Sequence, residues 1–159
     1  MALPNDPLRL QVADRFKTVL AAITAGSSYF YTPHKVSKFP LEYEIAKYGP
    51  LYQVFPGEEP GAAKIIGRES YDETFYISVI GIVHDHSDLV SKMEKAVRDV
   101  RYAIDLDSKS AMAGTLGVLC VQVRIDESPV MEYFAEERDG FGQFDQKFRI
   151  QITGDFGDL

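Results

Sequence analysis

Residues 74–104 read TFYISVIGIVHDHSDLVSKMEKAVRDVRYAI, and the change of rhythm inside that stretch decides the fold class. Thr74 to Val83 is rich in β-branched and aromatic residues and becomes apolar on both faces towards its end, as a central strand does. Past His84-Asp85-His86 the period lengthens. Leu89, Met93, Ala96, Val97, Val100 and Ile104 fall on one side of a helix from Ser87 to Ile104, and Lys92, Glu94, Lys95, Arg98 and Arg101 fall on its wet side. Asp85 or Ser87 is the expected cap. A strand that feeds an amphipathic helix lays a helical layer on a sheet.

The flanks extend this plan. Downstream, Leu119, Val121, Val123 and Ile125 alternate with Cys120, Gln122, Arg124 and Asp126, and Phe144, Phe148, Ile150 and Ile152 alternate with polar residues; each run predicts a strand with one wet face. Val130 to Glu137 is a weaker strand, joined to the last one through Asp139-Gly140, and Asp105 to Gly114 reads as a loop. Upstream, Asp6 is a cap candidate with Pro7 in the first turn. Leu8, Val12, Phe16, Val19, Leu20 and Ile23 then form an apolar stripe that Gly26 stops, with Arg9, Asp14, Arg15 and Lys17 facing water. Ser27 to Pro50 is an aromatic-rich connection with strand character at Lys35 to Phe39 and a short helix from Leu41 to Lys47. Leu51 to Phe55 is extended and ends at Pro56-Gly57, and Asp72-Glu73 is a turn between Arg68–Tyr71 and Thr74–Val83. The expectation is one α+β domain over residues 1–159: a mainly antiparallel sheet of about five or six strands with two amphipathic helices packed on one face.

Composition narrows the function. The 159 residues carry 17 Lys+Arg against 24 Asp+Glu, a net charge of −7, which disfavours tight binding to nucleic-acid phosphates. Most of that charge is local. Met1 to Ile125 is nearly neutral at −1, whereas Asp126 to Asp145 carries −6. The single cysteine, Cys120, permits no intramolecular disulfide and no cysteine-based zinc site, so a reducing cytoplasm is the default compartment. The N-terminus resembles neither a secretory signal nor a transit peptide, and no apolar run reaches the roughly 18 residues of a membrane span.

Local chemistry is sparse. His84, His86 and Asp88 alternate at a strand end, a pattern that can hold a divalent metal in a hydrolase; the competing reading is a capped helix start with two histidines beside it. Cys120 sits between Leu119 and Val121 with no basic neighbour to lower its pKa. The sequence contains no Gly-x-Ser-x-Gly elbow, P-loop lysine or full dinucleotide fingerprint. Glu132 and Glu136 are a candidate carboxylate pair, weighed against simple solvation near a turn.

The order of the pieces resembles a known family. An N-terminal amphipathic helix, then Tyr29-Phe30-Tyr31-Thr32-Pro33-His34-Lys35-Val36, then Gly49-Pro50-Leu51-Tyr52-Gln53-Val54-Phe55-Pro56-Gly57-Glu58-Glu59, is similar to the tail terminator proteins of long-tailed bacteriophages. The resemblance covers essentially the whole chain through loose motifs. It implies a structural virion protein, not an enzyme, assembled in the host cytoplasm and placed at the head-proximal end of the tail. There a hexameric ring caps the tail-tube protein, stops its polymerisation and meets the head-tail connector or neck protein. The genome DNA passes through without specific binding, and no cofactor, metal or membrane is involved. A neck or tail-completion adaptor is the nearest alternative. Within this reading some of Glu132, Glu136, Glu137 and Asp139 line the channel, or else pair with basic residues of the next subunit.

Overall fold

In chain order the elements are α1 (Leu8–Ala21), β1 (Lys35–Ser37), a 3₁₀ helix (Tyr43–Tyr48), β2 (Leu51–Glu58), β3 (Lys64–Ile65), β4 (Ser70–His84), α2 (Leu89–Ser108), α3 (Leu116–Leu119), β5 (Gln122–Ile125), β6 (Val130–Tyr133) and β7 (Phe141–Asp155). The computed structural model describes residues 6–58, 64–65, 70–134 and 140–155. The class is α+β, as expected. Six strands of three or more residues and the two-residue β3 make one sheet of order β1-β2-β4-β7-β5, with β3 on β4 and β6 on β7. Among the described strands only β1 and β2 run parallel.

The spine is the antiparallel pair β4–β7, fifteen residues each, in register from Ser70↔Asp155 to His84↔Phe141. Asp72-Glu73 is therefore not a turn. Asp72 sits opposite Thr153, and its carboxylate accepts from the Thr153 hydroxyl at 2.7 Å and the Gln151 amide at 3.2 Å, so cross-strand donors hold an acid inside a strand. Nor does β2 stop at Pro56-Gly57. Pro56 pairs with Ile77 where β1 has already ended, on an edge with no ladder bond for the missing N–H to break. The Gly57 carbonyl on that edge accepts from Arg9 at 3.0 Å.

The helices differ from expectation mainly at their ends. Asp6 makes no side-chain cap; Pro7 is the N-cap, and its carbonyl accepts from Leu10 and Gln11 at 2.9 and 3.1 Å. The helix closes at Ala21, although Ile23 beyond it is buried. Arg9, Asp14 and Arg15 do not simply face water: they pair with Glu73, Lys38 and Asp107. For α2 the cap is Asp88, whose carboxylate accepts from Ser91 N–H at 3.0 Å; Asp85 holds the turn before it through Ser87 and Asp88 N–H. The helix runs on to Ser108, through the first four residues of the expected loop. Asp107 then accepts from Leu116 N–H at 2.9 Å, which starts α3; its last residue, Leu119, was expected to open a strand, and β5 begins only at Gln122.

Both long helices cover one sheet face. Val12, Phe16 and Leu20 of α1 and Met93, Val97 and Val100 of α2 meet Phe75, Ile77 and Val79 of β4 and Phe144, Phe148 and Ile150 of β7, all from alternate strand positions. Phe16 meets Phe148 edge-on at 5.4 Å. Each such ring taken from water contributes roughly 1.5–3 kcal/mol. Gly81 matters here, because Phe144 lies across it and a Cβ would collide with the ring. On the opposite face a small cluster of Ala46, Leu51, Ile82 and Phe141 seats the 3₁₀ helix.

Candidate functional site

Two open sheet edges dominate the surface. On one side β5 and β6 pair separate halves of β7, Val123 with Ile150 and Met131 with Phe144, and nothing described pairs their outer sides. The predicted alternation of β5 is present, but its apolar side is only partly covered: Val123 packs on the core, whereas Val121 just before the strand is 61% exposed and Ile125 is open, as are Val130 and Tyr133 of β6. α2 reaches β5 at Val123, and α1 reaches β1 at Val36, but the residues flanking Val123 stay uncovered. Arg124, Glu127 and Glu132 are exposed on the same edge, while Asp126 is held at 3.1 Å by Arg149. Opposite, β1 forms the other edge, where Phe39 is 73% and Tyr48 77% exposed beside exposed Lys35, while Lys47 reaches over the sheet to the Phe141 ring of β7. The aromatic connection thus divides: Tyr52 is fully buried and Tyr29 and Tyr31 pack on the core, while Phe39 and Tyr48 face out.

Of the four acidic candidates, Glu132 lies exposed on β6 opposite Gln143. Glu136, Glu137 and Asp139 fall outside the described residues, as does any pairing of Glu132 with Glu136.

The histidine corner is tightly built. His84 ends β4, and its ring meets His86 edge-on with centroids 4.5 Å apart and Phe141 at 4.4 Å. Gly140 crosses both rings. A Cβ there would stand 3.0 Å from His86 Nδ1 and 3.1 Å from His84 Nε2, and its φ of +77° also favours glycine. His84 Nε2 is buried without a hydrogen-bond partner among the described residues, and burial, followed by the neighbouring His86, lowers the His84 pKa. The carboxylates are committed elsewhere. Asp85 is held down at about 2 by the backbone N–H groups of Asp88 and Ser87 and by the Ser87 hydroxyl, and Asp88 caps α2. Among the described residues no three His, Cys, Asp or Glu side chains stand where they could hold a metal ion together. Cys120 is buried, and that burial pushes its thiol up to about 12, far from thiolate chemistry at neutral pH.

Three polar anchors, two of them buried, position these surfaces, and spacing alone did not mark them. Asp99, fully buried in α2, accepts from Phe30 N–H at 2.9 Å and Tyr31 N–H at 3.0 Å, fixing the connection onto the helix. Gln146 is buried in β7 at the gap between β5 and β6. It accepts from Arg101 at 2.8 Å and donates to the Glu127 carbonyl at 3.1 Å. Asp107 receives Arg15 through two bonds of 2.9 and 2.6 Å. Burial raises its carboxyl, but Arg15 and the Leu116 N–H outweigh burial and hold it below the usual range.

On the sheet face away from α1 and α2 lies an open groove of about 620 Å³, with Phe55, Ile80, Ile82 and Phe134 among its apolar lining and Glu42 and Glu44 among its acidic lining. Sequence reading missed it because its walls come from five separate segments. Among the described residues no helix is long and apolar enough to cross a membrane. No family model matches the chain, and no curated protein matches it.

Proposed function

We propose that the chain is a structural assembly protein of the tail-terminator kind, whose copies join head to tail in a ring on the end of a tail tube. The observation that carries the reading is the pair of unlike, open sheet edges. A ring needs two different, mutually complementary patches on every subunit, because heterologous contacts close only by rotation. The β1 edge offers Phe39, Tyr48 and Lys35, and the β5–β6 edge offers Val121, Ile125, Val130 and Tyr133 with Glu127 and Glu132. A free strand edge that exposes apolar side chains invites pairing with another chain, and opposite charges set the partner. Glu132 at that edge, with Glu136, Glu137 and Asp139 following it in sequence, either faces a channel through which DNA slides or meets basic groups of the neighbour.

The test mixes the purified protein with isolated tail tubes and images their ends by electron microscopy. The expected result is a ring on one end and arrested growth, both lost in Val121→Lys/Ile125→Lys. Unchanged ends and continued growth with the parent protein reject the proposal. Replacing Glu132, Glu136, Glu137 and Asp139 with Lys tests the acidic run separately: unchanged capping, genome ejection and infectivity would remove both of its suggested roles.

A further inference from the structure

The groove on the far sheet face has the chemistry of a peptide site. Its apolar side chains, Phe55, Ile80, Ile82 and Phe134, lie between the segment carrying Glu42 and Glu44 and the end of β6. Both glutamates are exposed and make no hydrogen bond or ion pair with a described residue. The Gln143 amide lines the same groove and is likewise without a described hydrogen-bond partner, whereas Gln53 is satisfied by Leu41 N–H at 3.0 Å. The volume falls within the ~300–1,000 Å³ of ligand sites, but a trough this open cannot enclose a small cofactor on most of its surface, as such sites do. β-strand addition does not apply either. At Gln53 the strand β2 is already paired with Ser37 of β1 and Ile80 of β4, so the sheet presents side chains there, not a free backbone edge.

We propose that this groove docks an extended segment of a partner protein in which apolar and basic residues alternate. Period-two side chains would place the apolar residues on Phe55, Ile80 and Phe134 and the cations towards Glu42 and Glu44, with Gln143 bonding the segment's backbone. The overall charge of −7 adds to the attraction for a basic chain. None of these residues belongs to the two edge patches, so the inference stands independently of the ring reading.

The probe is a fluorescein-labelled acetyl-Lys-Leu-Lys-Leu-Lys-Leu-amide, with the Glu-Leu counterpart as control. Binding is followed by anisotropy at low salt and by the methyl resonances of Ile80 and Ile82. The expected result is saturable binding of the lysine peptide only, with both methyl groups shifting. Glu42→Lys/Glu44→Lys should weaken it roughly tenfold or more and shift preference to the glutamate peptide. Both replacements are at exposed positions, and an unchanged amide spectrum elsewhere verifies folding. Unmoved methyl groups, equal binding of the two peptides, or no effect of the double variant overturns the proposal. Peptide-free dimerisation that the same variant abolishes also overturns it, by making a second copy the occupant.

Discussion

Replacing Asp99 with Ala tests whether one buried carboxylate holds the aromatic connection onto the helical layer. In the native protein its oxygens accept from Phe30 N–H at 2.9 and 3.1 Å and from Tyr31 N–H at 3.0 Å, and the residue has no exposed surface. Truncation leaves two inward-facing donors without an acceptor, at about 1–3 kcal/mol each, so the expected loss is about 2–6 kcal/mol of a stability that is typically about 5–15. The Arg98 contact at 3.5 Å adds little, since nearly half of that side chain is in water. Asp99→Asn keeps one acceptor oxygen and should lose roughly half as much. Urea unfolding followed by circular dichroism gives the stability difference, and amide hydrogen exchange at Phe30 and Tyr31 locates it. If the Ala variant loses less than about 1 kcal/mol and both amides keep their protection, the carboxylate is not the anchor.

Three further outcomes follow from other sites. Gly81→Ala forces a Cβ into the Phe144 ring and should cost about 1–3 kcal/mol or more, read from the urea midpoint; a neutral effect would mean that the ring moves freely. Asp107→Ala removes the paired bonds to Arg15 and the acceptor for Leu116 N–H, so a loss of about 2–3 kcal/mol with faster exchange at the Leu116 amide is expected, and unchanged exchange there would contradict it. Because the folded-state pKa of His84 lies below its ordinary 6.5, the unfolded chain takes up the proton first. Its contribution is therefore full above pH 6.5 and declines as pH falls below it, whereas His84→Gln should flatten that decline; parallel curves for the two proteins would sink the assignment.

The legible parts of the fold were those carried by period. The central β4, the stripe of α2 and the alternation of Phe144, Phe148, Ile150 and Ile152 all follow from side chains that repeat every two or 3.6 residues against one core. The misread parts depend on partners distant in sequence. Asp72 looks like a turn residue until Gln151 and Thr153, 79 and 81 residues away, supply its donors. Asp99 meets backbone donors 69 residues back. Local pattern cannot show how far a helical layer reaches, and for that reason Val121 and Ile125 have the rhythm of buried residues and the exposure of an edge. The corner of His84, His86 and Asp88 was visible as a cluster, but the demand of α2 for a cap had already assigned its carboxylates.

The same exposures set how the proposed ring would form. Val121, Ile125, Val130 and Tyr133 are each about half exposed, and covering the remainder is worth about 1 kcal/mol apiece, or about 4 for the patch; Phe39 and Tyr48 opposite add about 3. Joining two free subunits costs an estimated 4–15 kcal/mol before any contact is counted, so one edge-to-edge contact lies near balance. A subunit already held on a tube end has met most of that cost, and each neighbour it then gains acts at high effective concentration. Within that proposal, edges of this strength would favour separate copies in dilute solution and a closed ring on the template, which would also let a protein with open, apolar strand edges escape random pairing before meeting the template.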